Sequence, residues 1–321
     1  MTSPADLPAA WRGFLDTYEP LRGELYRYCR YLTRSPWDAE DLAQDTLARG
    51  FVTLAQMAGE PPPNPRAWLF RVASNLWIDQ LRKRRDVPAG DEPAAPAPDA
   101  RATREAAGTL LVTLSPQERA AVVLKDVFEL SLDETAEALT TTVGAVKAAL
   151  HRGRGKLGDG APAAPVETAP VPAALDAFCD AFNAGDLDRL AALLLDTAVV
   201  QVVGATTQYG PEAAKRTVLY GMLFGARLMA SERSPLDPAL AAGVLPDAPR
   251  VEARLHRGRW LLVHWYRHAD GDAVRAVTTL ELAGDRVAAI ANYFYTPELL
   301  ADLGGELGVP VRGNGHLWWR R

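Results

Sequence analysis

The chain has 321 residues, of which 48% are hydrophobic and 23% charged, and a formal net charge of −5. That length suggests about two domains with ordinary cores, and no apolar run approaches membrane length. The Asp6-Leu7-Pro8 start lacks the basic-then-apolar build of a secretory leader, and Cys29 and Cys179 are too few and too widely spaced for a disulfide framework or a metal motif, so a cytoplasmic protein without cofactor is expected.

The first well-signalled element follows Ser35-Pro36-Trp37-Asp38. Serine caps a helix, proline suits its first turn, and the early acids Asp38, Glu40 and Asp41 complement the helix dipole. Leu42, Leu47, Phe51 and Leu54 recur at helical spacing and predict a buried stripe, which leaves Asp41, Gln44, Asp45 and Arg49 outward. An acidic face repels phosphate, so its natural partner is a basic protein surface.

After the Pro-rich stretch Gly59 to Pro65, a second helix is predicted from Asn64 to Arg85, with Leu69, Val72, Leu76 and Leu81 near one stripe. Arg71, Ser74, Asn75, Trp77, Arg82 and Lys83 remain for another surface. Between residues 66 and 85 the local charge is +5, so the negative total conceals a segregated basic region. Aromatic faces and small amides interleaved with cations suit unstacked single-stranded bases.

Residues 87–103, rich in Pro and Ala, predict a mobile tether. Ser115-Pro116 then opens a helix, and Ser131 to Leu139, a Thr140-Thr141-Thr142 turn and Val143 to Leu157 have helix-turn-helix spacing. Thr142 would cap the recognition helix; Lys147, His151, Arg152, Arg154 and Lys156 are left free of its packing stripe.

A second Pro- and Ala-rich stretch, 159–172, precedes another domain. Ala174 to Leu195 predicts two helices broken at Gly185-Asp186. Strand-like runs follow at 198–203, 251–256, 260–268, 273–282 and 287–295, with Gly271-Asp272 and Gly284-Asp285 as hairpin turns. Helices before a curved antiparallel sheet make an α+β fold. His256, His264, Glu281, Asn292 and Tyr209 are candidate pocket residues, though no pair has a spacing that compels catalysis. The last residues, Trp318-Trp319-Arg320-Arg321, have the composition of an interface anchor.

The strings Asp38 to Asp45, Trp68 to Arg82 and Val143 to Arg152 resemble regions 2.2, 2.3 to 2.4 and 4.2 of bacterial sigma-70 family factors. With no region 3 between them, the resemblance is to the extracytoplasmic-function type. It implies two all-α domains, region 2 over residues 10–86 and region 4 over 104–158, that bind core RNA polymerase and promoter DNA. Asp41, Gln44 and Asp45 would face the coiled coil of the β′ subunit, and region 4 the β flap. Arg71, Asn75, Trp77, Arg82 and Lys83 would lie at the −10 element, and Thr142, Lys147, His151, Arg152 and Arg154 at the −35 element. An anti-sigma factor is a further implied partner; a membrane is not. Phe182-Asn183-Ala184-Gly185-Asp186-Leu187 and the element order after it resemble the SnoaL-like branch of the nuclear transport factor 2 superfamily. That implies a cone over residues 173–300, with Tyr209, His264, Glu281 and Asn292 lining a pocket, followed by a tail at 301–321. Such a domain, fused to a sigma factor, implies a regulatory module without catalytic residues. A polymerase-independent helix-turn-helix regulator, or a cyclase or isomerase of the SnoaL type carrying a DNA-binding segment, are the rival readings.

Overall fold

A computed structural model describes residues 7–56, 62–86, 114–156, 170–229 and 249–316. The chain forms two compact units, one within residues 1–164 and one within 165–319. The first is all-helical: α1 (Leu7–Tyr18), α2 (Arg22–Thr33), α3 (Pro36–Gln56), α4 (Pro65–Asp86), α5 (Pro116–Val122), α6 (Leu132–Ala138) and α7 (Val143–Lys156). A single π turn, Val123–Val127, extends α5.

Local capping rules account for these boundaries. The Asp38 amide donates to Ser35 Oγ (3.3 Å), and Ala145 N donates to Thr142 Oγ1 (3.2 Å). Ser115 with Glu118, and Ser131 with Glu134, close reciprocal capping boxes at α5 and α6. Leu25, Tyr28, Leu32, Leu42, Leu69 and Phe70 are almost fully buried and tie α2, α3 and α4 together. Phe128 joins them from beyond α5, with ring centroids 5.8 Å from Tyr28 and 5.2 Å from Phe70. The segments expected as separate region 2 and region 4 domains therefore share one compact unit. The tether expected at 87–103 lies outside the described residues, as do most of 159–172 and the Trp318-Trp319 pair.

The second unit is α+β, with α8 (Ala173–Asn183), α9 (Leu187–Ala192), β1 (Leu194–Val202), β2 (Thr206–Tyr209), α10 (Pro211–Ala214), α11 (Tyr220–Met229), β3 (Arg250–His256), β4 (Arg259–His268), β5 (Gly271–Ala283), β6 (Arg286–Tyr293) and α12 (Pro297–Leu307). Its six strands run in the order β2-β1-β6-β5-β4-β3. Pairing is antiparallel except between β1 and β6, which run parallel. Hairpin loops fall at Ala269-Asp270, between the paired His268 and Gly271, and at Gly284-Asp285 as expected. The first is two residues earlier than the Gly-Asp dipeptide suggests, because Gly271 (φ 129) already belongs to β5.

One sheet face carries Val200, Val251, Leu262 and Ile290 against Phe178, Phe182, Leu190, Leu219 and Leu223 of the helices, forming the main core. The Phe182-Asn183-Ala184-Gly185-Asp186 string has a specific job here. Asn183 exchanges two hydrogen bonds with the Val251 backbone (2.9 and 2.8 Å), so its amide pairs the outer edge of β3. Gly185 then takes φ 68, and Asp186 caps α9 through Arg189 N (2.9 Å).

Strand alternation sends Leu261, Val263 and Val277 to the opposite face, where they too are buried. Helix α12 packs on β5, and its Glu306 bonds His256 (2.5 Å). A tail expected to begin at residue 301 thus starts inside a helix whose Leu299, Leu300 and Leu303 are core. Beyond it, Val274 N donates to Pro310 O (2.8 Å) and Arg312 N to Val274 O (2.9 Å), so residues 310–312 pair the part of β5 that β6 does not reach. Gly304 admits this return, since a Cβ there would lie 2.4 Å from Val311 Cγ1.

Leu303→Ala should lower the stability of this unit by about 2–5 kcal/mol, and a chain ending after Leu300 should lose its cooperative melt. A thermal melt of the truncated protein that still shows the C-terminal transition in place would contradict this packing.

Candidate polymerase and promoter surfaces

On α3 the predicted stripe is inward: Leu42 and Leu47 are buried, with Phe51 half-buried beside Phe14. Asp41 and Asp45 are exposed by area. The neighbouring surface nonetheless desolvates Asp45 enough to raise its carboxyl above the usual range. Gln44 is half-buried and donates to Glu40 Oε1 (2.8 Å), the same oxygen that accepts from Arg22 in a buried ion pair. Sequence reasoning placed Glu40 among the dipole-facing acids; the structure makes it the internal anchor for Arg22 and Gln44.

Helix α4 departs further from expectation. Asn75, Arg82 and Lys83 are exposed, and Arg82 pairs loosely with Asp79 (3.3 Å). Ser74 and Trp77, expected on an outward surface, are instead buried. Ser74 lies 2.7 Å from the Tyr28 hydroxyl and donates to Phe70 O (2.7 Å). Trp77 is 4% exposed, with the Arg119 guanidinium 5.5 Å above its ring. Burial lowers Arg119 to about 10, and its NH1 donates to Leu32 O (2.7 Å). Arg71 is 3.7 Å from Glu137 of α6. At the start of α4, Asn64 Oδ1 accepts from Ala67 N (3.0 Å) while its Nδ2 donates to Glu134 Oε1 (2.9 Å).

In α7, the helix expected to read DNA, Lys147 and His151 are exposed one turn apart. The cations nearer its C-terminus are engaged within the fold. Arg152 Nε donates to Glu118 Oε1 (3.1 Å) and Lys156 Nζ to Glu118 Oε2 (2.7 Å). Arg154 forms a two-point pair with Asp126 (3.0 and 2.5 Å). Gly153 lies so close to α5 that a Cβ would stand 2.9 Å from Val122 Cγ2. An open groove of about 550 Å³ is lined by Lys147, His151 and Arg154 together with Lys125, Leu132 and Leu150.

In the C-terminal unit the four expected pocket residues divide. His264, Thr278 and Asn292 share the inner sheet face and are buried together. Asn292 Nδ2 donates to Thr278 Oγ1 (2.9 Å), and the same hydroxyl lies within hydrogen-bond distance of His264 Nε2 (2.7 Å). Burial lowers His264 to about 3, which keeps it neutral at physiological pH, and Phe182 closes over it edge-on at 5.2 Å. Tyr209, 72% exposed on β2, and Glu281, exposed on β5, are not part of this cluster. Residue parity explains Glu281, because Thr278 and Leu280 face inward and the next residue must face out. His256 lies on the opposite face with Glu306. Among the described residues no helix is long and apolar enough to cross a membrane, and no His, Cys, Asp and Glu cluster could hold a metal.

These features define a helical promoter-binding protein with an appended α+β unit, and comparison with known proteins agrees. Residues 17–87 match the Sigma-70 region 2 family and residues 104–157 the Sigma-70 region 4 family. The chain is 32% identical over 283 residues to the ECF RNA polymerase sigma factor SigJ of Mycobacterium tuberculosis, spanning 74% of this chain and 85% of that protein. It is 28% identical to SigG of the same organism, over 87% of this chain and 80% of that one. Among solved structures, the sigma factor RpoE of Bartonella quintana, in complex with the anti-sigma factor NepR, is 25% identical over 46% of this chain and 94% of its own (TM-score 0.38). The crystal structure of SigJ is 22% identical over 88% and 97% (TM-score 0.32). The chain belongs to the extracytoplasmic-function RNA polymerase sigma factors. It acts with core RNA polymerase and promoter DNA to direct transcription initiation.

Glu118 offers a check on the recognition-helix geometry. Lys156 foremost, then Ser115 and Arg152, hold its carboxyl at about 2, below the usual 4.5. A depressed folded-state value stabilises above the unfolded one, so this contribution should be complete above about pH 4.5 and lost as pH falls toward 2. In an acid titration followed by circular dichroism, Glu118→Gln should flatten that part of the profile. A variant profile that overlays the wild type would contradict the clamp.

Proposed function

We propose that α3 docks the chain on core polymerase through Asp41, Gln44 and Asp45, that α4 serves the −10 element, and that α7 serves the −35 element through Lys147 and His151. The carrying observation is the segregation of charge on one folded unit: exposed carboxylates on α3, and exposed Lys147 and His151 on a capped recognition helix. Carboxylates at that density disfavour DNA and suit a basic protein partner. In this reading Arg152 and Arg154 act chiefly by fixing α7 against α5, and Thr142 by capping it. Asn75, Arg82 and Lys83 are the exposed groups of α4, while Arg71 and Trp77 are engaged by α6 and α5.

The C-terminal unit, in this reading, regulates initiation and performs no chemistry of its own. His264 is neutral, sealed by Phe182, and paired with the Thr278 hydroxyl, which also accepts from Asn292. The match to SigG covers 87% of the chain, so the unit travels with the sigma regions in that relative.

Reversing Asp41 and Asp45 to Lys should reduce co-purification with core polymerase at least about tenfold, since attraction becomes repulsion at a desolvated contact. Undiminished co-purification would remove the docking assignment. Lys147→Ala should weaken binding to a −35 duplex and lower the salt slope of log K by about one. An unchanged slope would take Lys147 out of the groove.

A further inference from the structure

We propose that α6, the first helix of the helix-turn-helix, is an internal stand-in for the −10 strand: its carboxylates occupy the groups of α4 that hold promoter DNA. The inference rests on reading α4 as the −10 surface. It is carried by which residues meet. Asn64 gives its side-chain amide to Glu134 (2.9 Å), and Arg71 lies 3.7 Å from Glu137. Arg119, midway along α5, covers the Trp77 ring. An amide, a guanidinium and an indole are the groups that hold a base, a phosphate and a stacked ring in single-stranded DNA. All three are engaged by the other half of the same unit.

Charge complementarity says why α6 is the occupant. Its sequence, Leu132-Asp-Glu-Thr-Ala-Glu-Ala138, carries three acids and no base. Helix α4, against which it packs, presents Arg71 to Glu137 from a stretch, residues 66 to 85, whose formal charge is +5. Glu134 reaches Asn64 while also closing its capping box with Ser131, so the carboxylate is presented by a rigid helix end. Phe128 fixes the position of α6, inserted against Tyr28 and Phe70 just before the helix begins. An aromatic anchor with an acidic rim is a contact that a polyanion can displace at the rim. Asn75 and Lys83 stay exposed, so a strand can make first contact before the acids yield.

The free chain should therefore bind single-stranded DNA weakly, and loosening α6 should strengthen it. The test uses the full chain, a fluorescent single-stranded DNA pool of randomised sequence, and spin labels at Asp16→Cys and Thr141→Cys in a Cys179→Ser background, where Cys29 is buried. Glu134→Gln keeps the capping box, which accepts Gln, and Glu137→Lys sets like charges against Arg71. The double variant should lengthen the label separation and bind the pool about tenfold more tightly, and adding Arg71→Ala should remove that gain. A charge-matched control, Glu281→Gln with Glu212→Lys in the C-terminal unit, should stay within about twofold of wild type. Labels that separate without tighter binding would show that α4 is not the DNA surface and overturn the proposal through its premise. Unmoved labels with unchanged binding would show that the acids of α6 do not hold the contact. A gain equalled by the control, or surviving Arg71→Ala, would be non-specific charge and would equally overturn it.

Discussion

The first unit depends most on Arg66. Its Nε donates to Glu24 of α2 (2.6 Å), its NH2 donates to the Phe128 carbonyl (3.2 Å), and its guanidinium lies 5.4 Å from the Phe70 ring centre and 5.9 Å from that of Phe128. One planar cation thus joins α2, α4 and the entry to the helix-turn-helix, using the fork geometry and weak hydration that distinguish Arg from Lys. The ion pair with Glu24 is about one-third exposed on both sides and by itself would stabilise little. The arrangement gains its hold from combination, since the charge sits against a carbonyl and two rings of an aromatic cluster.

That constraint has a functional consequence. Promoter recognition needs α4 and α7 to address two DNA elements, whereas the Arg66 and Phe128 contacts hold the carriers of both readers in one body. Within that body Lys147 and His151 stay exposed while Arg71 and Trp77 are engaged. The C-terminal unit follows a different logic. Its sheet is buried on both faces, by α8 to α11 on one and by α12 on the other, and the inner polar cluster is closed on itself.

Much of this was legible locally. Ser35, Ser115 and Thr142 cap the helices they were expected to cap, because capping is decided within four residues. Five strand runs and the Gly284-Asp285 turn were readable from alternation and turn chemistry. What failed was non-local. Ser74 and Trp77 read as outward because the buried stripe was placed through Val72 and Leu76, which are only half-buried, whereas α2 and α5 meet the face that carries Phe70, Ser74 and Trp77. Arg152 and Lys156 read as free cations because their partner, Glu118, is 34 and 38 residues earlier in the chain. The parallel pairing of β1 with β6 spans most of the unit and leaves no local trace. Glu281 is different, since strand parity alone would have turned it outward.

A sigma factor confers promoter-specific initiation on core polymerase that lacks one. Run-off transcription with purified core polymerase, the full chain and a library of genomic fragments tests this most directly. It should yield discrete transcripts whose upstream regions share two short elements at −35 and −10 spacing, with none from core alone. Products no more discrete than those of core polymerase alone, across conditions in which the chain stays folded and bound to core, would contradict it.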